Sequence, residues 1–203
     1  MALTAKGEAT RKRIVEGAAA HLRSVEFTEI TLDDVMAVSQ TSRSQLFHYF
    51  PEGKDQLLLA VMQLEADRVL ADQEPYLSLL DSWDAWEQWR SALIARYSAQ
   101  GSACPLHTLV SQIGTTPGAD QVTRALLARW QLRLSTGIRS MQTSGHIRAS
   151  IDADRVAGAL ISAIEGGVVV MWSTKSTTHL EAAVDIVLES MRGQPSTLSD
   201  ARS

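Results

Sequence analysis

Arg43 to Tyr49 (RSQLFHY) sets a guanidinium, a serine hydroxyl, a carboxamide and three aromatic rings side by side, with Leu46 the lone aliphatic residue. Arginine pairs with guanine or phosphate, a carboxamide with adenine, and an aromatic ring can press on a thymine methyl. The chemistry implied is the reading of base edges and the gripping of phosphates, with no bond made or broken. The other reactive pair is Cys104 and His107. A thiol and an imidazole at this spacing could begin a nucleophile–base pair or a metal site. Neither a third ligand nor an orienting acid stands nearby, and a single cysteine excludes an internal disulfide and a multi-cysteine zinc site. No Gly-rich phosphate loop, paired-acid spacing or nucleophile elbow accompanies the pair. A pocket or packing role suits both residues; a small helical enzyme using Cys104 and His107, or a helical protein-binding adaptor, is the alternative. Neither metal nor cofactor is implied.

The recognition residues need a frame, and residues 31–54 supply one. Thr31 stands three residues before Asp34 and Ser42 three before Gln45, so two capping boxes follow in succession. Leu32, Val35 and Met36 give the first helix one apolar face, and the period breaks over Val38-Ser39-Gln40-Thr41. The second helix turns Leu46 and Phe50 inward, and Pro51 with Gly53 stops it. The pattern predicts a helix-turn-helix; a plain surface helix pair would show the same caps.

From about Thr10 to about Leu59 the chain resembles the N-terminal domain of TetR/AcrR-family transcriptional repressors. The resemblance lies in Thr10-Arg11-Lys12-Arg13-Ile14-Val15, Ala18-Ala19-Ala20, Phe27, Thr31, Asp34-Val35, Ser42, Leu46-Phe47-His48-Tyr49-Phe50-Pro51, Lys54 and Leu57-Leu58. It implies an all-α protein with a DNA-binding head at 1–59 and a ligand-binding and dimerisation body at 60–193; residues 194–203 read, from the sequence itself, as a tail without order. It further implies that Thr31, Ser42, Arg43, His48, Tyr49 and Lys54 hold phosphates, that Ser44, Gln45 and Phe47 face base edges, and that Thr41 belongs to the same DNA-binding set. Glu26 and Gln40 stand where many members carry Gly, Thr41 where an apolar residue is usual, and Phe47 where Tyr is frequent. A non-Gly residue in a left-handed turn costs on the order of 1 kcal/mol.

The 203 residues, 45% hydrophobic with only 5 Pro and 12 Gly, suit an all-α chain with a sizeable core. The net charge of −4 argues against a polyanion partner until its distribution is read. Residues 1–54 hold seven Lys/Arg and seven Asp/Glu, so the head is neutral and the body carries the excess acid. Affinity for DNA should fall with salt, less steeply than for a basic-tailed protein. No run of about 18 uncharged apolar residues and no signal-like N-terminus is present, which predicts a cytoplasmic protein with no membrane partner.

In the body, Trp83, Trp86, Trp89, Leu93 and Tyr97 fall on one face of a helix spanning about 83–99. Core packing explains such a stripe, but three indoles on one face also suit the wall of an apolar pocket. The pocket expected from the sequence uses Met62, Trp86, Trp89, Leu93, Tyr97, Cys104, His107, Gln112, Trp130 and Glu165, with a short helix through Ile113 closing it. It would take a small apolar or aromatic ligand that releases the DNA. Helices over about 119–144 and 154–172 follow, then one carrying Leu180, Ala183, Val184, Val187, Leu188 and Met191. The last two hold more apolar surface than one core hides, which predicts a homodimer through Leu160, Ile164, Val168, Ala183, Val184 and Val187, with Gly166-Gly167 allowing close approach.

Overall fold

The computed structural model describes residues 4–24, 31–100 and 116–192. Among them are eight α-helices and no strand: α1 Ala5–Ser24, α2 Leu32–Ser39, α3 Arg43–Tyr49, α4 Lys54–Ala71, α5 Trp83–Gln100, α6 Ala119–Thr143, α7 Ala153–Thr174 and α8 Thr178–Arg192. A single 3₁₀ turn, Tyr76–Ser78, precedes α5. The helices form two compact units, one from the residues through Asp72 with 116–126, the other from 73–100 with 127–192.

In the first unit, the i, i+4, i+8 set Ile14, Ala18 and Leu22 is buried along α1, which packs on α2 and α4. Val35, Leu46, Phe50, Leu57 and Val61 complete this core. Burial of each Val, Leu, Ile or Phe side chain among them contributes about 1.5–3 kcal/mol. One charged group sits inside the unit. Glu65 of α4 has no exposed surface, and its Oε1 accepts from Arg23 of α1 and Arg68 of α4. Two guanidiniums on one carboxylate offset its desolvation and tie the end of α1 to α4.

In the second unit, α5 buries Trp86, Trp89, Leu93 and Tyr97, while α6 buries Trp130, Leu134, Ile138 and Met141. Helix α7 begins on an Asp152 cap that accepts from the amides of Asp154 and Arg155. It lies against α8 so closely that a β-carbon added at Gly167 would stand 2.6 Å from Leu180 Cα. Along α8, Arg90 of α5 forms a two-pronged pair with Asp185 (2.5 and 2.7 Å), and Arg192 reaches Glu87 while stacking 4.6 Å from the Trp83 ring. The Asp185 carboxylate raises the Arg90 pKa, fixing its charge.

The dimer residues expected from the sequence need correction. Leu160, Ile164, Val168 and Val184 have no exposed surface in the single chain; they form its own α7–α8 core. A helix apolar on all sides does not reveal which side faces its own chain. Ala183 and Val187 stay partly exposed, beside Ile186 at 66% and Val169 at 50%. Helix α7 has the length and mean hydropathy (1.6) of a membrane span, but a soluble core helix passes the same test, and one such helix packed on α8 does not indicate a membrane.

Candidate nucleic-acid interface

Both capping boxes form. Thr31 Oγ1 accepts from the Asp34 amide at 3.2 Å, and Asp34 Oδ2 accepts from the Thr31 amide (2.9 Å) and hydroxyl (2.6 Å). Those hydrogen bonds hold the Asp34 pKa below its ordinary value. Ser42 Oγ accepts from the Gln45 amide at 3.2 Å, and Gln45 Oε1 accepts from the Ser42 amide at 3.3 Å. The turn between the helices places Gln40 at φ 49°, in the left-handed region that glycine takes at least cost. Its amide bonds back to Ala37 and the Thr41 amide to Met36, so the turn keeps its hydrogen bonds without the glycine. Glu26 lies outside the described residues.

With Leu46 and Phe50 buried, α3 turns Arg43, Ser44, Gln45, Phe47 and His48 to solvent. The Arg43 guanidinium lies 5.7 Å over the Phe47 ring, and His48 meets Tyr49 edge to face at 4.9 Å. Thr31 and Ser42 are exposed at the helix starts, and Tyr49 and Lys54 are half-buried beside the face. Thr41 departs from expectation. It is 6% exposed, receives the Ser39 hydroxyl at 3.0 Å and donates to the Ser39 carbonyl, so it holds the turn from inside and drops out of the outward set. Arg11 of α1, named in the resemblance but left out of the expected DNA-binding set, stacks 5.1 Å from the Phe50 ring and ties α1 to the end of α3.

The expected ligand residues divide. Trp86 and Trp89 meet edge to face at 5.5 Å, and Trp89 and Trp130 both donate their indole N–H to Gln73 Oε1 at 3.1 Å. One carboxamide oxygen thus organises two fully buried indoles, and nothing in the sequence marks Gln73 for the task. Leu93 and Tyr97 are buried on the same α5 stripe. Among the described residues Trp86 Nε1 has no hydrogen-bond partner. Glu165 is half-buried on α7, and burial pushes its pKa up. Met62 is fully buried in the first unit. Cys104, His107 and Gln112 lie outside the described residues, as does the helix expected through Ile113. Glu65 was also missed, although its place among Val61, Met62 and Val69 on the inward face of α4 was a signal.

Comparison with known proteins bears on both units. The family model described as tetracyclin repressor-like, C-terminal domain, matches residues 79–187, more than half of the chain. No curated protein matches significantly. A TetR transcriptional regulator from Chloroflexus aurantiacus superposes with a TM-score of 0.74 at 24% identity, covering 94% of this chain and 98% of that one. A TetR-family regulator from Cytophaga hutchinsonii gives 0.76 at 16% identity, covering 96% and 100%. At these identities the likeness concerns the fold, and it runs through head and body alike. With that family's C-terminal model matched behind a capped helix-turn-helix, the chain belongs to the TetR family of transcriptional regulators, DNA-binding proteins that are not enzymes.

Proposed function

We propose that this regulator is a cytoplasmic, ligand-responsive repressor that binds a pseudopalindromic operator as a homodimer. The observation that carries the reading is the outward face of α3, where Arg43, Ser44, Gln45, Phe47 and His48 stand on a helix fixed at its start by the Ser42 cap. In this reading α3 enters the major groove of double-stranded DNA, with Ser44, Gln45 and Phe47 toward base edges. Thr31, Ser42, Arg43, His48, Tyr49 and Lys54 hold phosphates on either side. One head covers only a half-site, so a twofold partner is needed for a specific operator.

Support for the partner surface comes from the outer stripes of α7 and α8. Gly158, Ser162, Gly166 and Val169 recur at helical spacing along α7, and a β-carbon added at Gly158 or Gly166 would meet nothing within 4 Å. On α8, Ala183, Ile186 and Val187 lie on the side away from buried Val184 and Leu188. A small-residue groove beside an exposed isoleucine suits a second copy of the same pair.

The body's ligand is an apolar or aromatic small molecule. Supporting this are the buried Trp86, Trp89, Leu93, Tyr97 and Trp130, with Trp86 Nε1 the donor still free among the described indoles joined to Gln73 or stacked on them. Glu165 belongs to the same unit and completes the proposed ligand set among the described residues. Binding releases DNA only if it favours the DNA-incompetent arrangement. The test is titration of the DNA-bound protein with apolar aromatic compounds while following Trp fluorescence and DNA retention. Quenching together with release is expected; a broad set that gives neither removes the ligand response.

A further inference from the structure

We infer that Arg43 and Phe47 act as one reading unit for a thymine beside a guanine, and that Gln45 holds the helix start instead of reading a base. The inference rests on the proposed placement of α3 in the major groove and replaces two of the roles given there, Arg43 as a phosphate contact and Gln45 as a base reader.

Gln45 carries the first half of the argument. Its Oε1 accepts from both the amide and the hydroxyl of Ser42, at 3.3 and 3.5 Å. Pairing with adenine needs both ends of the carboxamide, since Oε1 must accept from N6 while Nε2 donates to N7. A carbonyl oxygen has two lone pairs, and the cap engages both. Reading adenine would open the capping box on a helix of seven residues, which has few other hydrogen bonds to hold it.

Arg43 and Phe47 carry the second half. They lie one turn apart on the outward face, the guanidinium over the ring, and Phe47 remains 37% exposed. The stack holds the planar fork in one direction, so less side-chain freedom is lost when it forms a two-pronged bond. In the major groove that bond is best met by O6 and N7 of guanine. The phenyl ring, with nothing to donate, needs an apolar partner, and the apolar group displayed there is the thymine methyl. Residues i and i+4 stand about 5–6 Å apart at Cβ, against a rise of about 3.4 Å per base pair. With the two side chains in contact at their ends, the methyl and the guanine belong to neighbouring base pairs.

The test begins by selecting bound sequences from a randomised duplex library with the full chain. A half-site is then resynthesised with uracil for the thymine, or 7-deazaguanine for the guanine, and affinities are compared at fixed salt. A thymine beside a guanine is expected in each half-site, and each replacement should weaken binding about fivefold or more. Phe47→Ala should be insensitive to the uracil exchange and Arg43→Ala to the 7-deazaguanine exchange, while Gln45→Ala should weaken all sequences by one common factor. A selected adenine whose preference vanishes in Gln45→Ala overturns the inference while leaving α3 as the reader. So does an Arg43→Ala variant that loses the same factor on cognate and random DNA, the mark of a phosphate contact. Wild-type affinity and consensus in all three variants would remove α3 from the groove altogether.

Discussion

Gly167→Ala perturbs the tightest helix contact in the body by a single methyl. The added carbon would stand 2.6 Å from Leu180 Cα and 2.9 Å from its Cβ and Cδ1, whereas ordinary carbon contacts lie near 3.5–4.0 Å. Helix α8 must therefore retreat by about 1 Å at Leu180, since a backbone atom cannot rotate out of the way. Leu180 and Val168 have no exposed surface, so the retreat loosens packing along both helices. Overpacking of this kind costs about 1–3 kcal/mol, and a backbone clash belongs at the upper end. Alanine regains up to about 1 kcal/mol of helix propensity, leaving a net loss of about 2 kcal/mol. For a chain of this length the melting midpoint should fall by about 4–8 °C. Circular-dichroism melts of wild type and Gly167→Ala must share one protein concentration because a dimer's midpoint depends on it. A Gly167→Ala midpoint equal to or above that of wild type refutes the close α7–α8 approach.

Gln73→Ala would strand the buried indole donors of Trp89 and Trp130, costing about 2–5 kcal/mol in chemical denaturation; a loss below about 1 kcal/mol would show that Gln73 does not organise the indoles. Burial raises the Glu165 pKa, so its contribution to stability is full below the ordinary carboxyl range and is lost as pH rises through the raised folded value. Glu165→Gln should accordingly be more stable than wild type at neutral pH, with the advantage shrinking as pH falls into the carboxyl range. Urea midpoints across that range check the sign, and an advantage that grows on acidification would contradict it. Ile186→Glu places a charge on the exposed stripe of α8 and should leave the protomer folded while producing monomer in sedimentation; an intact dimer would put the partner surface elsewhere.

The head was legible because its determinants are local. Each capping box joins residues three apart, and Leu46 and Phe50 are separated by one helical turn, so the text of residues 31–54 holds the whole arrangement. Thr41 misled because a hydroxyl in a turn suits either solvent or a neighbouring Ser39, and only the fold chooses between them. In the body the helices followed from periodicity, but their faces did not. Leu160, Ile164, Val168 and Val184 have the same apolar character whether they meet α8 or a second chain. Long-range polar joins were the least readable. Glu65 bonds to Arg23 across 42 residues, and Gln73 to Trp130 across 57, distances at which sequence spacing carries no geometric information.

Hydroxyl-radical footprinting of the full chain on a duplex recovered from the randomised library tests the central claim most directly. Two copies of α3 reading a pseudopalindrome should protect two equal patches on one face of the duplex. The patches should be related by a dyad and centred about 34–36 Å apart or a multiple of that distance. A single asymmetric patch, or equal protection along the whole duplex, would contradict a homodimer that reads its operator through α3.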